Sequence, residues 1–174
     1  MPGGWAKSPI SRGEQHGGEP VGASCKTMKL LAINGSPRRK RNTATILQSM
    51  VDGAMEAGAE ATLVHLAGLH FRGCASCFGC KLLGGPSYGR CALKDDLTPV
   101  LDMAHEADVL VLGSPFYFSA ESSLLRALEE RLWFQYSRYD TENVTLSPAK
   151  KACALVYTVN YPSLKAEACK SLVD

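Results

Sequence analysis

The sequence predicts an α/β fold in which a parallel sheet is covered by helices on both faces. Two observations carry this prediction: short apolar runs alternate with stretches of helical periodicity, and a glycine or a polar turn follows nearly every run. A strand, a helix and a second strand in this order form a right-handed crossover, so the strands lie parallel. The chain has 174 residues, 45% apolar and 21% charged, which is enough to bury one domain core.

Each element follows from its own pattern. The run "KLLAIN" over 29–34 is typical of a buried parallel strand and ends at Gly35. Residues 43–57 carry apolar side chains at helical spacing, and Gly58 ends that helix. The other predicted elements are a strand over 61–67, a helix that Asp95 and Asp96 open, a strand over 108–115, a helix over 122–134, a strand over 151–160 and a helix over 164–173.

Composition bounds the domain organisation and the location. Residues 1–27 are rich in glycine, proline and serine and predict a disordered extension, so the folded domain spans 28–174. A net charge of +2 does not favour nucleic acid as a partner, and no apolar stretch reaches the length of a membrane helix. The N-terminus lacks the apolar core of a signal peptide, so we expect a cytoplasmic protein.

The turn after the first strand, "NGSPRRKRNT" over 34–43, has the properties of an anion site. Ser36, Asn42 and Thr43 offer short polar side chains near a helix start, where unpaired N–H groups and the helix dipole attract anions. Arg38 adds a donor fork that matches phosphate oxygens. The alternative is a solvated turn with an ordinary helix cap.

The loop after the third strand follows the most hydrophobic run of the chain. Pro115, Phe116, Tyr117 and Phe118 place rigid and aromatic surface at the sheet edge that also carries the anion turn. Such a wall suits a flat heteroaromatic ring. The alternative is an aromatic anchor that packs the next helix.

Three motifs in order resemble one family. They are G-S-P-R-x-x-x-N-T after strand one, a cysteine loop ending in C-x-x-K-D-D, and G-S-P-x-Y-F after strand three. Together they resemble the flavodoxin-like NADPH-dependent FMN reductases, in particular the iron-sulfur flavoprotein branch. The resemblance implies a sheet of order 2-1-3-4-5 and a bound FMN. It places the FMN phosphate on Ser36, Arg38, Asn42 and Thr43, the flavin ring on Pro115, Phe116, Tyr117 and Phe118, and the loop from Thr158 to Tyr161 on the other side of the ring.

Four cysteines follow the second strand, at positions 74, 77, 80 and 91. Cys74, Cys77 and Cys80 have the C-x2-C-x2-C spacing of ferredoxins, and Cys91 follows after ten residues. Structural zinc sites usually have two separated C-x2-C pairs instead. In order of preference the interpretations are a [4Fe-4S] cluster, empty or redox-active thiols, and zinc, while a reducing compartment disfavours disulfides.

The implied activity is an FMN-dependent NAD(P)H oxidoreductase. Hydride would pass from the nicotinamide to FMN and electrons onward to an unidentified acceptor, without a catalytic acid–base residue. Only fourteen residues, 161–174, follow the fourth strand, so the sequence predicts that the fifth strand is missing and that the protein is a homo-oligomer. The alternatives are a flavodoxin-like electron carrier that never binds nicotinamide and a truncated, inactive fragment.

Overall fold

The computed structural model describes residues 26–138, 145–147 and 150–160. In this part of the chain four parallel strands form one sheet in the order β2-β1-β3-β4. The predicted flavodoxin-like α/β fold is thereby confirmed for these strands. The elements are β1 (Lys29–Asn34), α1 (Asn42–Glu56), β2 (Glu60–His65), α2 (Thr98–Glu106), β3 (Val109–Pro115), α3 (Ser123–Tyr136) and β4 (Ala152–Thr158), with a 3-10 turn at Gly79–Lys81.

The sheet separates two apolar clusters. On one face Leu47 and Val51 of α1 pack against Ala32 and Val111. The cluster on the other face is larger and joins the inward side chains of β1 and β3 to those of α2 and α3. The central strands β1 and β3 are thus buried on both sides, which is the reason that their sequences are continuous apolar runs.

A glycine lets α1 approach the sheet. A Cβ atom built on Gly113 would lie 2.6 Å from Leu47 Cδ1 and 3.0 Å from Thr43 Cγ2, closer than packed carbon atoms come. The start of α1 therefore rests directly on the β3 backbone.

Helix α2 begins later than the sequence predicts, at Thr98 instead of Asp95. The Asp95 carboxylate accepts a hydrogen bond from the Leu97 amide at 3.1 Å, and that of Asp96 accepts one from the His70 amide at 2.7 Å. The Asp95 carboxylate thus forms a local turn that competes with helical backbone bonding, while Asp96 ties the same loop to His70.

Some predictions lie outside the described residues. These are the helix over 164–173, Tyr161, and the extension over 1–27 apart from Lys26 and Thr27. Within the described part of the chain, no helix combines the length and the apolar character that a membrane span requires.

Candidate functional site

A chain of hydrogen bonds shapes the turn after β1. The Asn34 side chain donates to His65 Nδ1 at 2.9 Å and accepts from the Ser36 amide at 2.9 Å. Ser36 Oγ in turn accepts from the Arg38 amide at 3.2 Å. Burial, and then the charge of Arg39, lowers the pKa of His65, so the ring is neutral and its Nδ1 can accept. The turn is fixed by the neighbouring strand, while the Ser36 hydroxyl proton stays available to an acceptor.

The start of α1 leaves backbone donors without a side-chain cap. Arg41 precedes the helix, and its side chain makes no hydrogen bond to the first turn. Asn42 and Arg38 are exposed, whereas Thr43 is buried. An uncapped helix start beside an arginine and a serine is suited to a phosphate group.

The start of helix α3 contacts the same turn. Ser122, the residue before α3, donates from Oγ to the Gly35 carbonyl at 2.6 Å and accepts from the Leu125 amide. A Cβ atom on Gly35 would lie 2.7 Å from Leu125 Cβ. The backbone of the turn therefore passes so close to α3 that only glycine fits at position 35.

The loop after β3 is a tight turn with an exposed aromatic tip. Tyr117 and Ala120 exchange two backbone hydrogen bonds of 2.8 and 3.0 Å. Between them Phe118 and Ser119 have φ angles of +49° and +67°, a region that non-glycine residues rarely adopt. The Phe118 ring is fully exposed, and that of Phe116 contacts Tyr157 edge-on at 5.8 Å between centroids.

Three of the predicted flavin segments meet at the carboxyl edge of the sheet. The hydroxyls of Thr43 and Thr158 are 2.7 Å apart, which joins the start of α1 to the end of β4. The Phe116 amide donates to the Thr158 carbonyl at 3.0 Å, and the Gly35 amide donates to that of Gly113 at 2.7 Å. The turn after β1 and the loop after β3 thus each lie in hydrogen-bonding contact with strands at this edge of the sheet, and α1 and the loop after β3 meet at the end of β4.

All four predicted cysteine ligands line one narrow cavity. Cys80 is buried, Cys74 and Cys91 are half-buried, and Cys77 is exposed. The cavity holds about 10 Å³, room for one water molecule. Among the described residues, no three side chains of the types Cys, His, Asp and Glu are arranged closely enough to hold a single metal ion.

The second half of α3 anchors the cysteine loop. Glu130 Oε2 accepts from the Cys74 amide at 3.2 Å, and Gln135 Oε1 accepts from the Cys91 amide at 3.0 Å. Lys81 donates to the carbonyls of Phe134 and Ser137 at the end of the helix, where a cation is favoured.

Arg131 lies at the centre of this anchor and is 1% exposed. Its guanidinium donates to both Asp95 oxygens at 2.6 and 2.9 Å, to the carbonyls of Arg72 and Leu93, and from Nε to Cys91 Sγ at 3.3 Å. Burial alone would lower the pKa of Arg131, but the bonds to Asp95 and Cys91 outweigh it and raise that pKa. Sequence reasoning missed this residue, although an arginine among the apolar positions of α3 was the available signal.

Glu121 and Glu129 form a carboxyl pair beside α3, and Glu129 lies near Cys153 of β4. Glu121, directly after the aromatic loop, is buried and pairs with Arg126 at 3.3 Å. Burial, and then the charge of Glu121, raises the pKa of Glu129 to about 7. The pair therefore retains a proton near neutral pH, which the sequence did not reveal.

The chain resembles a known family along most of the described residues. Residues 28–159 match the family of NADPH-dependent FMN reductases. An iron-sulfur flavoprotein of Archaeoglobus fulgidus is 38% identical over 104 residues, which are 60% of this chain and 48% of that protein. An iron-sulfur flavoprotein of Methanocaldococcus jannaschii is 35% identical over 104 residues, which are 60% of this chain and 51% of that protein. The chain spans about half the length of these curated relatives.

Solved structures share the fold at low sequence identity. The NAD(P)H:quinone oxidoreductase from Methanothermobacter marburgensis superposes with a TM-score of 0.66 at 19% identity, covering 84% of this chain and 75% of that one. An FMN-dependent NADH-azoreductase of Bacillus anthracis, in complex with FMN, gives a TM-score of 0.56 at 11% identity, covering 83% of this chain and 75% of that one.

Proposed function

Because the chain belongs to the NADPH-dependent FMN reductase family, we propose that it binds FMN and carries electrons from NAD(P)H through this flavin to an acceptor. The family and its iron-sulfur flavoprotein branch were predicted from three motifs, and both predictions are confirmed. The acceptor, the homo-oligomer and the cytoplasmic location stay predictions from the sequence.

The observation that carries this proposal is the meeting of three segments at one edge of the sheet. In the proposed complex Ser36, Arg38 and the first amides of α1 hold the phosphate, with Asn42 and Thr43 beside them. Pro115, Phe116, Tyr117 and Phe118 form the wall for the ring, and Thr158 closes the end of β4. We propose Tyr161 for the other side of the ring from the sequence alone.

The four cysteines support the proposal of a second cofactor. Four thiols on one cavity are the donor set of a [4Fe-4S] cluster, and two relatives above 30% identity bear the name iron-sulfur flavoprotein. We propose that Cys74, Cys77, Cys80 and Cys91 bind such a cluster. The cavity is smaller than a cluster, so binding requires that the exposed stretch around Cys77 moves outward.

Each cofactor supplies its own chemistry when bound: FMN accepts electrons in pairs as hydride, and a cluster passes them singly. The protein contributes position. Ser122, directly before α3, contacts the turn after β1, and residues Glu130 and Gln135 of α3 contact the cysteine loop, roughly 12–20 Å further along the helix axis at 1.5 Å per residue. In this proposal one helix sets the separation of the two sites.

We expect NADH or NADPH to bleach the FMN-loaded chain under anaerobic conditions. If the bound FMN accepts the hydride, the absorbance near 450 nm, typical of oxidised flavin, would fall about stoichiometrically. Stopped-flow absorbance measures this, with dithionite as the control for complete reduction. A chain that binds FMN and responds to dithionite, yet to neither nicotinamide, contradicts the reductase and identifies an electron carrier.

A further inference from the structure

We propose that Arg131 sets the reduction potential of the group held by the four cysteines. This inference rests on the proposed cluster and adds a residue outside its ligand set. Arg131 Nε donates to Cys91 Sγ at 3.3 Å, which makes it a buried cationic donor in contact with a sulfur of the cysteine cavity.

The guanidinium cannot turn away from the sulfur. One terminal nitrogen is bound by both oxygens of Asp95 and by the Arg72 carbonyl, and the other donates to the Leu93 carbonyl. These partners fix the orientation of the planar group, and its Nε–H donates to Cys91. The fixed fork of an arginine is what allows this arrangement, because a lysine ammonium has no second nitrogen to direct.

The charge balance explains the expected effect. Reduction adds one negative charge to a cluster, and hydrogen bonds to its sulfurs together with nearby cations stabilise the reduced form. Asp95, whose pKa is lowered by Arg131 against the raising effect of burial, stays ionised and offsets part of the positive charge. Arg131 therefore raises the potential, and Asp95 moderates it.

The contact with Cys91 satisfies the buried Nε–H of Arg131, and its effect on the cluster can be separated from the structural role of the other bonds. The ion pair with Asp95 and the two carbonyl bonds already hold the loop before α2 against α3. The bond from Nε to Cys91 adds an interaction with a ligand atom, and its loss is measurable in the cluster separately from any loss of stability.

The test compares full-length variants loaded with iron under anaerobic conditions. Arg131→Lys keeps the charge and removes the Nε donor. We therefore expect the ratio of oxidised to reduced cluster at a fixed potential to rise about tenfold, which corresponds to a reduction potential about 59 mV more negative. Asp95→Asn keeps the contact with Cys91 and removes the opposing charge, so its potential should rise. Arg126→Lys, exposed on the same helix, is the control. Redox titration followed by electron paramagnetic resonance gives the potentials.

The outcomes separate this inference from its premise. Opposite shifts in the two variants support it. Iron-loaded Arg131→Lys with the wild-type potential overturns it, even if that variant is less stable. If Arg131→Lys does not fold, Asp95→Asn decides, and an unchanged or lower potential overturns the inference. A wild-type chain that retains FMN but no iron refutes the cluster itself, and the inference falls with it.

Discussion

Replacing Ser36 and Arg38 together by alanine is expected to lower the affinity for FMN about 100-fold. Each side chain offers a hydrogen bond to a phosphate dianion, and hydrogen bonds to charged groups contribute about 1.5–3 kcal/mol each. The loss of both, discounted for the exposure of Arg38, leaves about 2.7 kcal/mol, which is a factor of 100. Quenching of flavin fluorescence on titration measures the affinity.

Two controls keep this result specific. Riboflavin lacks the phosphate, so its affinity should be the same for the variant and the wild type. Ser49→Ala removes a hydroxyl that bonds within α1, to the Thr45 carbonyl, and should leave FMN binding unchanged. An unaltered FMN affinity in the double variant would show that the turn after β1 does not hold the phosphate.

Replacing any one of the four cavity cysteines by serine is expected to abolish the cluster. A ferredoxin-type [4Fe-4S] cluster is held by four thiolates, so wild-type protein purified anaerobically should hold about four irons per chain and each variant far fewer. Colorimetric iron and sulfide assays, together with visible absorption, measure the difference. The effect is larger than that of any surface change, because a missing ligand leaves an incomplete cubane.

The matched control is Cys153→Ser. Cys153 lies on β4, which does not border the cysteine cavity. Its substitution should therefore leave the iron content unchanged. Full iron in Cys91→Ser would contradict the four-cysteine site, since Cys91 is separated from the other three by ten residues. About one zinc and no iron in the wild type would identify the site as structural zinc.

The central strands β1 and β3 were predictable because burial on both faces leaves a continuous apolar run. The predicted bounds of β1 are those observed, and β3 differs by one residue. The common location of the turn after β1 and the loop after β3 was predictable as well, since parallel strands bring the residues after their carboxyl ends to one edge. The individual contacts of Thr43 and Phe116 with Thr158 were not predicted, because the rule gives the shared edge and not the pairing of residues along it.

The anchor of the cysteine loop could not be predicted in the same way. Arg131 and Gln135 lie among the leucines of α3, and helical periodicity reports which face is buried without naming its partners. Their contacts to Cys91 cross 40 and 44 residues of chain. Such pairings depend on how the loop after β2 returns to α3, and local pattern carries no information about that path.

The most direct test of the central claim compares FMN with riboflavin on the wild-type chain. If the turn after β1 binds the phosphate, FMN should bind about 100-fold more tightly than riboflavin. This difference in affinity should shrink in the Ser36→Ala/Arg38→Ala variant. Equal affinities for both flavins, or no binding of either, would contradict the account.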